Sequence, residues 1–167
     1  VKVAMDRLEK HYAVNDTEVR KMRPCIYYHE NGYSLNTNRL MGRQAAGESF
    51  LEGFIKYSSG GDTFSVKVDD QQQLQKFKEQ AENIRPDAKA AAITMQNLEQ
   101  LKNSGCLHVP GPGLALEAQQ RAIVGHSEWS LCGITHTTSS ARAMDLITEC
   151  VTEPLQEWDA LICTTRA

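Results

Sequence analysis

Short apolar runs alternate along this chain with stretches of helical period, and that rhythm predicts its elements. After Pro24, Cys25-Ile26-Tyr27-Tyr28-His29 reads as a buried strand. Asn31-Gly32-Tyr33-Ser34-Leu35-Asn36 has the chemistry of a turn and predicts a loop. Residues 38–57 form a long helix with Leu40, Gly47, Leu51, Phe54 and Ile55 near one face, and Ser58-Ser59-Gly60-Gly61-Asp62 stops it. Thr63 to Val68 alternates apolar and polar, a second strand. Asp70 with Gln73 resembles a capping box and opens a helix that carries Leu74 and Phe77 and ends near Ile84. Ala90 to Met95 is a small-residue strand, and Asn97 with Gln100 caps a short helix ending at Ser104-Gly105. Further strands follow at Cys106–Val109, Leu131–Thr135 and Ala160–Thr164, with helices at Leu114–Ile123 and Ala141–Val151 between them.

Strands and helices in alternation, with short connections, predict one α/β domain over residues 24–167. Its mostly parallel sheet has about six strands, with helices on both faces. Right-handed crossovers then bring every strand-to-helix loop to one edge of the sheet. Residues 1–22 stand apart. Val3, Leu8 and Tyr12 recur among Asp6, Arg7, Glu9 and Lys10, as either a docked helix or a leader inherited from a longer protein.

Composition narrows the function classes. At 167 residues, with 41% hydrophobic and 23% charged positions, the chain has the makings of an ordinary globular core. A net charge of -3 carries no footprint of a polyanion partner, so nucleic acid is not expected. Arg39 and Arg43 lie one turn apart and read as a solvated helix face. The five cysteines are odd in number and form no C-x-x-C pair, which points to buried free thiols in a reducing cytoplasm. No apolar run reaches the roughly 20 residues of a bilayer span, and the amino end does not read as a signal peptide. A first residue that is Val1 rather than Met suggests a trimmed or excised piece.

Three loops fall on the expected ligand edge. In His29-Glu30-Asn31-Gly32-Tyr33-Ser34 the glycine lets backbone approach a ligand, and free N–H groups at a helix start favour an anion. A plain turn explains the same residues. The spacing is neither G-x-G-x-x-G nor a P-loop, so a nicotinamide dehydrogenase or an NTPase is poorly supported. In the second loop His136 ends a strand among Thr135, Thr137, Thr138, Ser139 and Ser140. An N-cap cluster accounts for the hydroxyls but not for the imidazole, which marks His136 as the candidate catalytic residue. The third, His108-Val109-Pro110-Gly111-Pro112-Gly113, is a stiff connection suited to the wall of a cleft. His126 precedes a strand and belongs to the opposite edge, and His11 lies in the extension. No metal site is expected, because no ligand spacing appears. With no G-x-S-x-G elbow, a serine hydrolase is excluded and Asp145 and Asp159 have no nucleophile to serve.

Three segments together resemble a known family. They are Ile26 to Gly32 leading into the long helix, Gly133-Ile134-Thr135-His136-Thr137, and Trp158-Asp159-Ala160-Leu161-Ile162-Cys163-Thr164-Thr165. In order and spacing they are similar to the Rossmann-like amino-terminal domain of the retaining nucleotide-sugar glycosyltransferases called "glycosyl transferases group 1", which have the two-domain GT-B architecture. The resemblance implies an acceptor-binding half-enzyme acting in polysaccharide biosynthesis. Its partners would be a nucleotide-sugar donor, held mainly by a second domain, and a glycan or lipid-linked acceptor. It implies no cofactor, and a cytoplasmic location, at the inner membrane face when the acceptor is lipid-linked. Gly32, with the N–H groups of Asn31 and Tyr33, would face the donor diphosphate. His136 would bond the sugar or stabilise charge at the reacting centre, and Asn36, Asn38 and Arg39 would contact the acceptor. Two departures stand out: Asn31-Gly32 replaces the paired glycines of many members, and the domain with paired glutamates is missing. The chain alone is therefore expected to be inactive. A non-catalytic Rossmann-like binding module is the alternative. A small α/β enzyme such as a methyltransferase is disfavoured by the missing glycine-rich fingerprint.

Overall fold

The computed structural model describes residues 23–35, 42–58, 61 and 63–164. Six strands form one all-parallel sheet: β1 (Cys25–Tyr27), β2 (Thr63–Lys67), β3 (Lys89–Ile93), β4 (Cys106–His108), β5 (Ser130–Thr135) and β6 (Ala160–Cys163). Their order is β3-β2-β1-β4-β5-β6. This is the Rossmann order, in which the chain reverses its direction of travel between β1 and β4 and leaves a crevice beyond their carboxyl ends. The helices are α1 (Glu30–Tyr33), α2 (Gly42–Tyr57), α3 (Gln71–Ile84), a 3-10 helix (Met95–Asn103), α4 (Ala115–Val124) and α5 (Ala141–Thr152).

Alternation along the strands builds two cores, because successive side chains leave opposite faces. Ile26, Tyr28, Phe64 and Val66 meet Leu51 and Ile55 of α2 and Leu74 and Phe77 of α3 on one face. Cys25, Leu107 and Leu131 meet Leu98 and Leu101 of the 3-10 helix and Ala118 of α4 on the other. Burying side chains of this size contributes about 1.5–3 kcal/mol each, so the two cores rather than helix propensity hold the layers together.

The expected elements form, with instructive differences. Helix α2 buries Gly47, Leu51 and Ile55 as its pattern implied, but Gln44 as well. Residues 38–41 of the expected helix lie outside the described residues, as does the extension 1–22. Asp70 caps α3 by accepting from the Gln73 N–H at 2.8 Å. The Gln73 side chain does not close the box on Asp70. Its Oε1 accepts from the Glu30 N–H at 2.9 Å and ties α3 to the turn after β1. The cap expected at Asn97 sits three residues upstream: Thr94 is the N-cap, and the Asn97 side chain reaches back to accept the Thr94 N–H at 2.7 Å. All five cysteines are free thiols, but only Cys25 is buried and Cys163 is exposed. No helix among the described residues is long and apolar enough to cross a membrane.

Candidate functional site

The segment after β1 is where expectation and structure differ most. In place of a loop, Glu30–Tyr33 makes one helical turn, with the Ser34 N–H donating to the Glu30 carbonyl at 2.9 Å. Gly32 and Tyr33 are buried and only Asn31 of the three is exposed. The Gly32 N–H is spent on the His29 carbonyl at 2.9 Å. Four residues also align too few peptide dipoles to hold an anion strongly. The turn is nevertheless closely fitted. A Cβ on Gly32 would stand 2.8 Å from Pro110 Cγ and 2.9 Å from His29 Cε1. The glycine thus serves close packing against the Pro110 loop, and its backbone does not lie open to a ligand. Tyr33, fully buried, stacks on Tyr28 with centroids 5.5 Å apart.

The stiffness of the Pro110–Gly113 loop then reaches the second expected residue. The Gly111 carbonyl accepts from the Ile134 N–H at 3.0 Å, two residues before His136. His136 follows the carboxyl end of β5, half-buried, with the Pro110 carbonyl beside its ring. The imidazole and the turn after β1 therefore border the same crevice, whose walls include Tyr33, Gly47, Phe50, Pro110 and Ile134. That crevice is pinched to about 10 Å³, room for at most one water. It opens beyond the imidazole into a cleft of about 390 Å³, lined by Gly42, Arg43, Ala46, His136, Thr137 and Thr164.

Two further histidines share this edge. His108 ends β4, 5% exposed, stacked on Phe50 with centroids 4.2 Å apart. Burial, and next the neighbouring His136, press its basicity down to about 4. His29 ends the first run, its ring 5.6 Å from Tyr27 and 6.5 Å from Tyr33. Burial lowers its pKa and Arg43 adds to that, against the opposing pull of Asp69. His136 is lowered by burial and by Arg43, while a hydrogen bond to the Pro110 carbonyl works the other way. Burial and Arg43 thus shift the His136 ring toward its neutral form, in which one ring nitrogen is a lone-pair acceptor.

No family model, curated protein or solved structure matches this chain. The chemistry of the site rests on its own geometry. Of the residues expected to act, His136 lies at the open cleft, Tyr33 and Gly32 back it from within, and Asn31 is on the surface. Asn36, Asn38 and Arg39 lie outside the described residues. Arg43, expected on a solvated helix face, lines the cleft. His108 was expected only in a stiff connection. Nothing in its spacing told that Phe50 and His136 would converge on it from elements 58 residues before and 28 after. His126, expected at the opposite edge as a structural or exposed residue, is exposed in the turn before β5. Among the described residues, no group of three or more His, Cys, Asp or Glu is arranged to hold a metal ion.

Proposed function

We propose that this domain is the acceptor-side half of a nucleotide-sugar-dependent retaining glycosyltransferase, transferring a sugar to a glycan or lipid-linked acceptor. The observation that carries the reading is the position of His136: an imidazole whose basicity burial and Arg43 lower, at the carboxyl end of a strand beside the switch point, facing an open cleft. A lone pair there suits a sugar hydroxyl. In the transfer, the bond from the anomeric carbon to the donor phosphate breaks and the acceptor oxygen takes that carbon. The acceptor's hydroxyl proton leaves with the departing phosphate. A positioned hydrogen-bonding group at that centre acts where charge develops. The donor nucleotide would sit on a second domain facing the cleft, and that domain would supply most of its contacts. The resemblance of the three segments after β1, at β5 and at β6 supports the same reading.

The test is made in the complete reading frame, with nucleotide-sugars and glycan acceptors. His136→Ala is expected to lower the transfer rate about 100-fold or more while leaving the fold intact. Transfer at the wild-type rate in that variant would remove His136 from the reaction, and no transfer by the unaltered complete frame would overturn the reading and favour a binding module. The 167-residue chain alone is expected to fold and to transfer no sugar, and turnover by it unaided would contradict the half-site account.

A further inference from the structure

The open cleft beside His136 carries two basic side chains from different elements. Arg43 and His136 line it together with Gly42, Ala46, Thr137 and Thr164, and no carboxylate lines it among the described residues. No ion pair of Arg43 is found among the described residues.

From this juxtaposition we infer that the Arg43–His136 cleft is a subsite for a phosphate monoester, and that the phosphoryl group belongs to the acceptor. The second clause rests on the transferase reading; the first does not. A guanidinium offers a planar fork of donors matched to two phosphoryl oxygens. His136 supplies a donor from another element once protonated. The Thr137 and Ser139 hydroxyls, 2.6 Å apart with either able to donate to the other, leave one hydroxyl hydrogen between them for a ligand at the rim. Thr164 contributes no donor, because its hydroxyl already donates to the Thr135 carbonyl at 2.9 Å.

The electrostatics provide a readout. The groups acting on the His136 ring are Arg43 from α2 and the Pro110 carbonyl, and His136 in turn acts on the neighbouring His108 of β4. Arg43 disfavours its protonation, and an anion seated between the two reverses that effect. Binding should therefore be accompanied by proton uptake at His136.

The experiment follows the His136 ring resonance of the 167-residue chain by NMR, titrating pH with and without inorganic phosphate. Saturating phosphate is expected to raise the His136 pKa by about one unit. In Arg43→Gln, an exposed position, the amide spectrum should be retained while phosphate binds about tenfold or more weakly. Arg43→Lys should recover part of the affinity. No phosphate-dependent shift, or equal affinity in Arg43→Gln, would overturn the subsite. A hexose 6-phosphate and a nucleoside diphosphate are compared in the same assay. Tighter binding of the hexose phosphate supports an acceptor phosphate, and tighter binding of the nucleoside diphosphate assigns the site to the donor and overturns that part. Phosphate binding by a complete frame that transfers no sugar would remove the transferase reading alone. Lack of phosphate binding with His136-dependent transfer would remove the subsite alone.

Discussion

Arg121 of α4 and Asp159, the residue before β6, meet in a two-pronged ion pair with both N···O distances at 2.6 Å. Their side chains are 0% and 2% exposed. The carboxylate also accepts from the Leu131 N–H at 2.7 Å and the Gln156 N–H at 2.8 Å. Burial works against its charge, but Arg121 and the two backbone N–H groups outweigh that and hold its pKa below the usual carboxylate range. The acid of the closing-strand motif is thus a clamp at the amino edge of the sheet, the edge opposite His136. Asp159→Ala leaves a buried guanidinium without its carboxylate and is expected to cost about 3–5 kcal/mol. Urea unfolding at neutral pH measures it, and a loss within experimental error of zero would contradict the clamp.

Gly47 marks the contact between α2 and the turn after β1. A Cβ there would lie 1.8 Å from the Gly32 carbonyl oxygen, a backbone atom that cannot step aside. Gly47→Ala must therefore push α1 from α2, at a cost of about 3 kcal/mol or more. Gly53, six residues along the same helix, has open space at its Cβ position. Gly53→Ala should stabilise by up to about 1 kcal/mol through helix propensity. Thermal denaturation of the two variants checks the opposite signs.

His108 makes the fold sensitive to acid. Its pKa falls from an ordinary 6.5 to about 4 on folding, so between these values the unfolded chain binds the extra proton. Stability is complete above about pH 6.5 and falls as pH drops toward 4, by up to roughly 3 kcal/mol from this residue. His29 and His136, also lowered, act in the same direction. His108→Phe keeps a ring against Phe50 and should flatten the loss over that window. Denaturant midpoints at a series of pH values test this, and an unchanged slope in the variant would show that the charge on His108 is not the cause.

Lys67 at the end of β2 and Glu117 of α4 form a second buried pair, 2.8 Å apart with side chains 4% and 3% exposed. The ammonium also lies 4.4 Å from the centre of the Tyr27 ring. Burial raises the pKa of Glu117, and Lys67 only partly offsets it. Lys67→Met should cost about 3–5 kcal/mol because Glu117 is left uncompensated, whereas Lys67→Met with Glu117→Leu should recover most of it. A double-mutant cycle in urea reads the coupling, and additive losses would show that the two charges do not depend on each other.

Local patterning carried the architecture. Alternation in Thr63–Lys67, the helical spacing of Gly47, Leu51 and Ile55, and the turn residues between elements each act over a few neighbours. From them follow six strands, their helices and a parallel sheet, and the sheet edge on which His136 falls. Contacts between distant segments were not legible in this way. Asn31-Gly32-Tyr33 reads as a loop because its turn chemistry is local. It becomes a buried helical turn because Gly47, Pro110 and Gln73 close around it from three other elements. Nothing local to Asp159 or Lys67 shows that Arg121 and Glu117 arrive across the fold to make burial of the charges tolerable. Arg43 and His108 join His136 only through the strand order, which brings β1, β4 and β5 side by side. The sequence by itself determined which segments form and which way their strands run, since those depend on period and propensity. Tertiary structure decided which side chains share a cleft, because burial and charge pairing are set by partners tens of residues away.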